Sequence, residues 1–252
     1  MAGIPHRRRG SLRTLATLGL LAATVCGVCV ALGTWQLQRR VWKLDLIARV
    51  ETRIRAAPAT APTPDDLPAP TRASDEYRRV RAEGVFLHAR ETLVQAVTDR
   101  GPGFWVVTPL RRADGTTILI NRGFVPPDRR APASREPGPD EAQVTGLLRL
   151  SEPGGAFLRS NDPAGERWYS RDVASIAAAR VLTRVAPYFV DADATPNPGG
   201  LPVGGLTVVA FRNDHLVYAV TWYVLALMAA GGGWIVLREA RRRHDRSEPS
   251  SD

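Results

Sequence analysis

Residues 14–38 read TLATLGLLAATVCGVCVALGTWQLQ, and residues 216–237 read LVYAVTWYVLALMAAGGGWIVL. Neither run contains a formally charged side chain, and at 25 and 22 residues each reaches the roughly 20 needed to cross a hydrocarbon core. A lone segment in lipid can satisfy its backbone hydrogen bonds only within itself, so both are predicted as transmembrane helices. The first is read as a retained anchor rather than a cleaved signal peptide. It is long for a signal core, and Ala31-Leu32-Gly33 is a poor cleavage site. Gly19, Ala23, Gly27 and Ala31 recur every fourth residue, as do Ala226-Ala230 and Ala229-Gly233, which predicts a close helix contact along those small residues.

Working outward, the flanking charges set a direction. Arg7, Arg8, Arg9 and Arg13 precede the first run, while Arg238, Arg241, Arg242 and Arg243 follow the second. Basic residues stay on the cytoplasmic side, and long loops translocate regardless of Arg39, Arg40 and Lys43. The predicted order is a cytoplasmic N-terminus (1–13), a span (14–38), an extracytoplasmic domain (39–214), a second span (215–237) and a charged cytoplasmic tail (238–252). The whole chain carries +9, but residues 39–214 hold 25 basic and 21 acidic side chains with no basic stripe. That near balance argues against nucleic-acid binding. Both cysteines, Cys26 and Cys29, fall inside the first span, where thiols stay protonated and act as small apolar groups rather than as a redox or metal pair.

Between the spans, Val41–Arg55 has helical periodicity and continues the first span. Five prolines in residues 56–70 then predict an extended linker. The core, residues 77–211, reads as strands at Tyr77–Leu87 (with a break at Gly84), Thr92–Val97, Phe104–Leu110, Thr116–Phe124, Gln143–Leu150, Ala186–Val190 and Leu206–Phe211. Asp114-Gly115 marks a hairpin turn. One helix is expected at Ser170–Arg180, starting at Ser170. The fold class is therefore a membrane protein, with two transmembrane α-helices flanking an antiparallel, β-rich, barrel-like α+β extracytoplasmic domain.

Catalytic patterns are absent: no G-x-S-x-G, H-E-x-x-H, Walker or dinucleotide loop occurs. His88 is the one histidine of the central domain available as a base, and a turn role suits it better. His215, at the start of the second span, is different, because an ionisable residue at the edge of a membrane span is a functional candidate. At helical spacing it shares a face with Tyr218, Ala219 and Trp222. A neutral imidazole beside aromatic and small residues can ligate a haem iron while the flat ring rests in the gap between helices. Arg212, with Arg39 or Arg40, offers cations for carboxylates at that depth.

Several strings in order resemble one family. They are Leu32-Gly33-Thr34-Trp35-Gln36-Leu37-Gln38-Arg39, then Tyr77-Arg78-Arg79-Val80, and Gly103-Phe104-Trp105-Val106-Val107-Thr108-Pro109-Leu110. Next come Ile120-Asn121-Arg122-Gly123-Phe124-Val125-Pro126, Trp168-Tyr169-Ser170-Arg171-Asp172 and Pro187-Tyr188. The last is His215-Leu216-Val217-Tyr218-Ala219-Val220-Thr221-Trp222-Tyr223. Together, from about Gly33 to Ala226, they resemble the surfeit-locus-one (Shy-type) family of cytochrome c oxidase assembly proteins. Phe124 stands where that family usually has Trp, and Asp214 where Asn is usual. The resemblance implies a non-enzymatic assembly factor in a bacterial inner membrane, with both termini cytoplasmic and the central domain periplasmic. It implies haem a bound transiently, with His215 on the iron and Arg212, Tyr218 and Trp222 around it. The implied partners are the oxidase catalytic subunit and haem a synthase, with lipid around the spans. It implies that Trp35, Arg122 and Trp168 hold the fold or a partner surface. A membrane-anchored scaffold that binds partner proteins without haem is the alternative, and a hydrolase using His88 a third.

Overall fold

A computed structural model of the chain describes residues 6–156, 158–209, 211 and 213–245. The described residues form two compact units, one drawn from those up to residue 47 and those beyond 210, the other from those between 48 and 209.

The first unit is an antiparallel pair of helices drawn from α1 (His6–Arg55) and α3 (His215–Asp245). Both are long and apolar enough to cross a membrane. The inward positions on α1 include Leu15, Gly19, Ala22, Cys26, Cys29, Gly33 and Gln36, spaced alternately by four and three, with Leu32 half-buried beside Gly33. On α3 they include His215, Ala219, Trp222, Ala226, Ala229, Gly233 and Val236, in the same rhythm, with Tyr223 half-buried beside Trp222. A mean spacing of 3.5 keeps a seam facing one partner, whereas a strict spacing of four drifts around the helix. The expected ridge of Ala23, Gly27 and Ala31 is thus exposed, and so is Ala230; of the predicted small pairs, Ala229-Gly233 lies on the seam. Cys26 and Cys29 are seam residues, consistent with packing rather than reactivity. The backbones come close where side chains are smallest: a Cβ on Gly33 would meet the Tyr223 ring, and one on Gly233 the Ala22 methyl.

The second unit is a β-barrel. Its strands are β1 (Ala59–Thr60), β2 (Arg79–Phe86), β3 (Thr92–Thr98), β4 (Gly101–Arg111), β5 (Thr117–Val125), β6 (Glu141–Leu150) and β7 (Val185–Ala192). The order β2-β6-β7-β5-β4 closes on itself through the pairing of Val85 and Phe86 with Arg111 and Leu110. Closure runs through Gly84, the expected break, where any Cβ would strike the Arg111 carbonyl. All pairings around the barrel are antiparallel except β5–β7, which is parallel.

Alternation along the strands separates two cores. Val80, Phe86, Leu110, Ile118, Ile120, Leu148, Tyr188 and Val190 fill the barrel. The intervening Val107, Leu119 and Phe189 point outward, where Val94 of β3, Trp168, and Val173 and Ile176 of α2 (Val173–Ala179) cover them. Every residue of β5 is buried for that reason. The helix begins later than expected: Asp172 is its N-cap, accepting from the Ser175 N–H at 3.2 Å, while Ser170 Oγ serves Gly155 and Asn161. The proline-rich segment is docked on the barrel rather than free. Ala61 enters the inner core, and the buried Tyr188 hydroxyl donates to the Pro62 carbonyl at 2.6 Å.

The strand expected at 206–211 does not form among the described residues. Val203 instead exchanges backbone hydrogen bonds with Phe124, and Thr207 donates its hydroxyl to Asp191. Gly123 makes that approach possible, with φ at 135° and no side chain to strike Val203.

Candidate functional site

His215 is the first residue of α3, where the charge-free run meets the polar segment before it. Its Nδ1 lies 2.8 Å from Gln36 Oε1 on α1. Both are seam positions, so the regular packing below them sets this contact. An amide oxygen only accepts, so in a neutral ring this contact calls for the proton on Nδ1 and leaves Nε2 with its lone pair. A neighbouring carbonyl that fixes the tautomer in this way is the usual companion of a metal-binding histidine. The donor chemistry is that of a side chain that could ligate a haem iron. Among the described residues no group of three His, Cys, Asp or Glu could hold a metal ion, so the site offers a single imidazole and no closed ligand cage.

Not every residue expected around His215 faces the seam. Ala219 is buried within it and Trp222 is half-buried, but Tyr218 is 55% exposed on the outer flank. Deeper in, Gly33 abuts Tyr223, whose hydroxyl is 3.1 Å from Thr34 Oγ1. The helices are thus in contact below His215. The expected gap for a flat ring is filled there, leaving the outer side that carries Tyr218 as the accessible face. Arg212 lies outside the described residues. The two other candidate cations separate: Arg40 occupies the seam side one turn beyond Gln36, while Arg39 is turned away, stacked on Trp42.

Within the barrel unit, His88 opens a short 3₁₀ turn. Its Nε2 is 3.3 Å from the Pro139 carbonyl and its Nδ1 3.4 Å from Arg122. Arg122 is buried over the Phe86 ring at 5.0 Å and donates to Asn197 at 3.1 Å. Its own burial pulls its pKa down, and nearby Glu91 opposes that pull. Trp168 is buried in the outer core. Arg122 and Trp168 therefore hold the fold, whereas Trp35 is exposed on α1.

One polar cluster has no local signature in the sequence. Asp191, 3% exposed, accepts from Arg149 at 2.8 Å, Arg171 at 2.9 Å, Asn121 at 2.7 Å and Thr207 at 3.0 Å. Glu152 takes a second branch from Arg171, at 2.6 Å, and Arg171 stacks 4.6 Å from the Phe189 ring. Burial works against the Arg171 charge, but Asp191 and Glu152 outweigh it and raise its pKa. Only Asn121 and Arg171 stand in recognisable strings. Asp191 and Arg149 look like ordinary strand charges until β6 and β7 pair.

The profile of the SURF1 family matches residues 23–227, which include His215, Gln36 and the barrel. Surfeit locus protein 1 of Homo sapiens is 40% identical over 215 residues, covering 77% of this chain and 69% of its own length. A SURF1-like protein of Monosiga brevicollis is 40% identical over 228 residues, 84% of both chains. A third relative, the SURF1-like protein of Drosophila melanogaster, is 34% identical over 244 residues, 88% of this chain and 78% of its own. With the match spanning both helices and the barrel, the chain belongs to the SURF1 family.

Proposed function

We propose that this chain assists the assembly of cytochrome c oxidase by holding haem a at His215 before it enters the catalytic subunit. Family membership supports the oxidase-assembly role. The observation that carries the haem reading is the bond from His215 Nδ1 to Gln36 Oε1, because it prepares Nε2 as a ligand. A bound haem a supplies the iron that the imidazole ligates. Gln36 orients the ring, Tyr218 and Trp222 offer aromatic faces, and Arg40 and Arg212 supply cations for propionates. A single ligand at a membrane edge suits transfer: it retains the group yet can be replaced by the ligands of the receiving subunit.

We further propose that both termini lie in the cytoplasm and the barrel in the periplasm of a bacterial inner membrane, beside the catalytic subunit and haem a synthase, a reading that the arginines outside both spans support. The barrel then serves as the partner-binding body, with no catalytic step of its own.

The test is the absorption spectrum of the full chain, purified in detergent from cells making haem a. The wild type should carry a haem band that His215→Ala removes. Oxidase subunits co-purifying without any haem band, with assembly indifferent to His215→Ala, would assign the scaffold role instead.

A further inference from the structure

The end of the first charge-free run carries a second arrangement, on the side of α1 away from the seam. Trp35, Arg39 and Trp42 follow one another at spacings of four and three, so they stand along one helix face. The Arg39 guanidinium lies 4.9 Å from the Trp42 ring centre and 6.0 Å from that of Trp35. Trp35 is 48% exposed and Trp42 51%, and Arg39 is exposed between them. Arg39 forms no ion pair with a carboxylate among the described residues.

The depth of this stack follows from the sequence. Trp35 belongs to the charge-free run, Arg39 is the first charge after it, and Trp42 is about one turn further on. The three residues therefore straddle the level where hydrocarbon gives way to headgroups. Tryptophans alone at that level are ordinary interfacial anchors. A guanidinium between the two rings adds something else. Aromatic faces hold it by its π-surface and leave its N–H donors free, in a planar fork that matches the oxygens of a phosphate. The neighbouring cations do not compete for the same place. Arg40 is turned to the seam, and Lys43 lies 5.1 Å from the Phe211 ring. They do make the local field positive, with Asp45 the nearest acid in sequence, and this favours a net anionic headgroup over a zwitterionic one.

We propose that Trp35, Arg39 and Trp42 form a binding site for the phosphate of an anionic phospholipid on the outward face of α1. The site is independent of His215 and faces away from it. It would fix the height and rotation of α1 in the bilayer, and with them the level at which the seam meets the headgroups.

Full-length protein reconstituted in nanodiscs of equal phosphatidylglycerol and phosphatidylcholine, then released for native mass spectrometry, reads the lipid that stays bound. The wild type should retain phosphatidylglycerol in preference to phosphatidylcholine. Arg39→Gln should lower that retention about fivefold, the scale of one cation at an anionic surface. Arg39→Lys keeps the charge and the helix but loses the fork and the stacking, so it should fall as well. Trp35→Leu combined with Trp42→Leu should do the same. Arg238→Gln, which removes a cation at the end of the other span, should leave retention unchanged. Equal retention of both lipids, wild-type retention by Arg39→Gln, or an equal loss in Arg238→Gln would overturn the site. Displacement of phosphatidylglycerol by millimolar inorganic phosphate would overturn the lipid assignment in favour of a free anion.

Discussion

Gly33 faces the Tyr223 ring so closely that a Cβ on the glycine would stand 3.0 Å from two ring carbons, and one residue along Thr34 shares a hydrogen bond with the hydroxyl of that tyrosine. Less than one turn beyond them, Gln36 meets His215. The tight contact therefore sets the helix separation on which the imidazole bond depends. Gly33→Leu should force the helices apart, costing about 1–3 kcal/mol as overpacking does elsewhere. Thermal denaturation of the detergent-solubilised full chain checks the stability, and loss of the haem band at unchanged expression checks the geometry.

Gln36 is expected to act through His215 rather than on the iron. Gln36→Leu removes the acceptor and releases the tautomer, so haem affinity should fall about 10–100-fold. The remaining bound haem should show a shifted Soret band. Gln36→Glu keeps an acceptor oxygen and should retain most of the binding. If Gln36→Leu binds haem as wild type does while His215→Ala does not, His215 keeps its role and Gln36 loses its own.

Asp191 pairs with two arginines inside the barrel unit, and removing it leaves Arg171 with Glu152 and Arg149 with Glu76 and Glu152, all of them more exposed than Asp191. Breaking a buried pair by deleting one partner typically costs about 3–5 kcal/mol, so Asp191→Ala should destabilise the full chain by that order. Asn121→Ala removes one neutral donor and should cost about 1 kcal/mol. Denaturant titration followed by far-UV circular dichroism measures both. Additivity of Asp191→Ala and Arg171→Met in a double-mutant cycle would count against a coupled cluster.

Asp114 gives a pH dependence with a definite sign. In the β4–β5 turn its Oδ1 accepts from the Thr116 hydroxyl at 2.6 Å and from the Thr116 N–H at 2.8 Å. The hydroxyl bond is the largest cause of a pKa held below the ordinary 3.8, with burial acting in the opposite direction. The folded state thus binds its proton less readily than the unfolded chain. The stabilisation is complete above the ordinary carboxylate range and fades as pH falls from 3.8 through the lowered value. Asp114→Asn has no such titration. It should flatten this part of the acid limb when the melting temperature of the full chain is followed against pH.

How much of this was legible in the sequence depended on how local each interaction is. The helices could be read because a charge-free run of that length has no other stable form in lipid. The β4–β5 hairpin could be read because Asp114-Gly115 specifies its own turn. Gly84 reads as a strand break because its real reason, the approach of Arg111 in another strand, is invisible from its neighbours. The phase of the seam is hidden for a similar reason. Small residues every fourth position are plain to see, but which of them face inward depends on the partner helix. His215 stood out as a lone ionisable residue on a span, whereas Gln36 is an unremarkable polar residue until α3 is packed against α1. Asp191 needed β6 and β7 to be paired before its two arginines converged.

The closure of the barrel also governs how it can be made. β2 is bonded to β4 and β6, and β5 lies between β4 and β7, so the ring closes only when β7, which ends at Ala192, has paired with both β5 and β6. During synthesis, most of the chain must leave the ribosome before the first-made strands find their last neighbours, and the open edges have to be shielded meanwhile. A premature stop anywhere upstream of β7 therefore yields no smaller barrel, only exposed strand edges for the quality-control proteases.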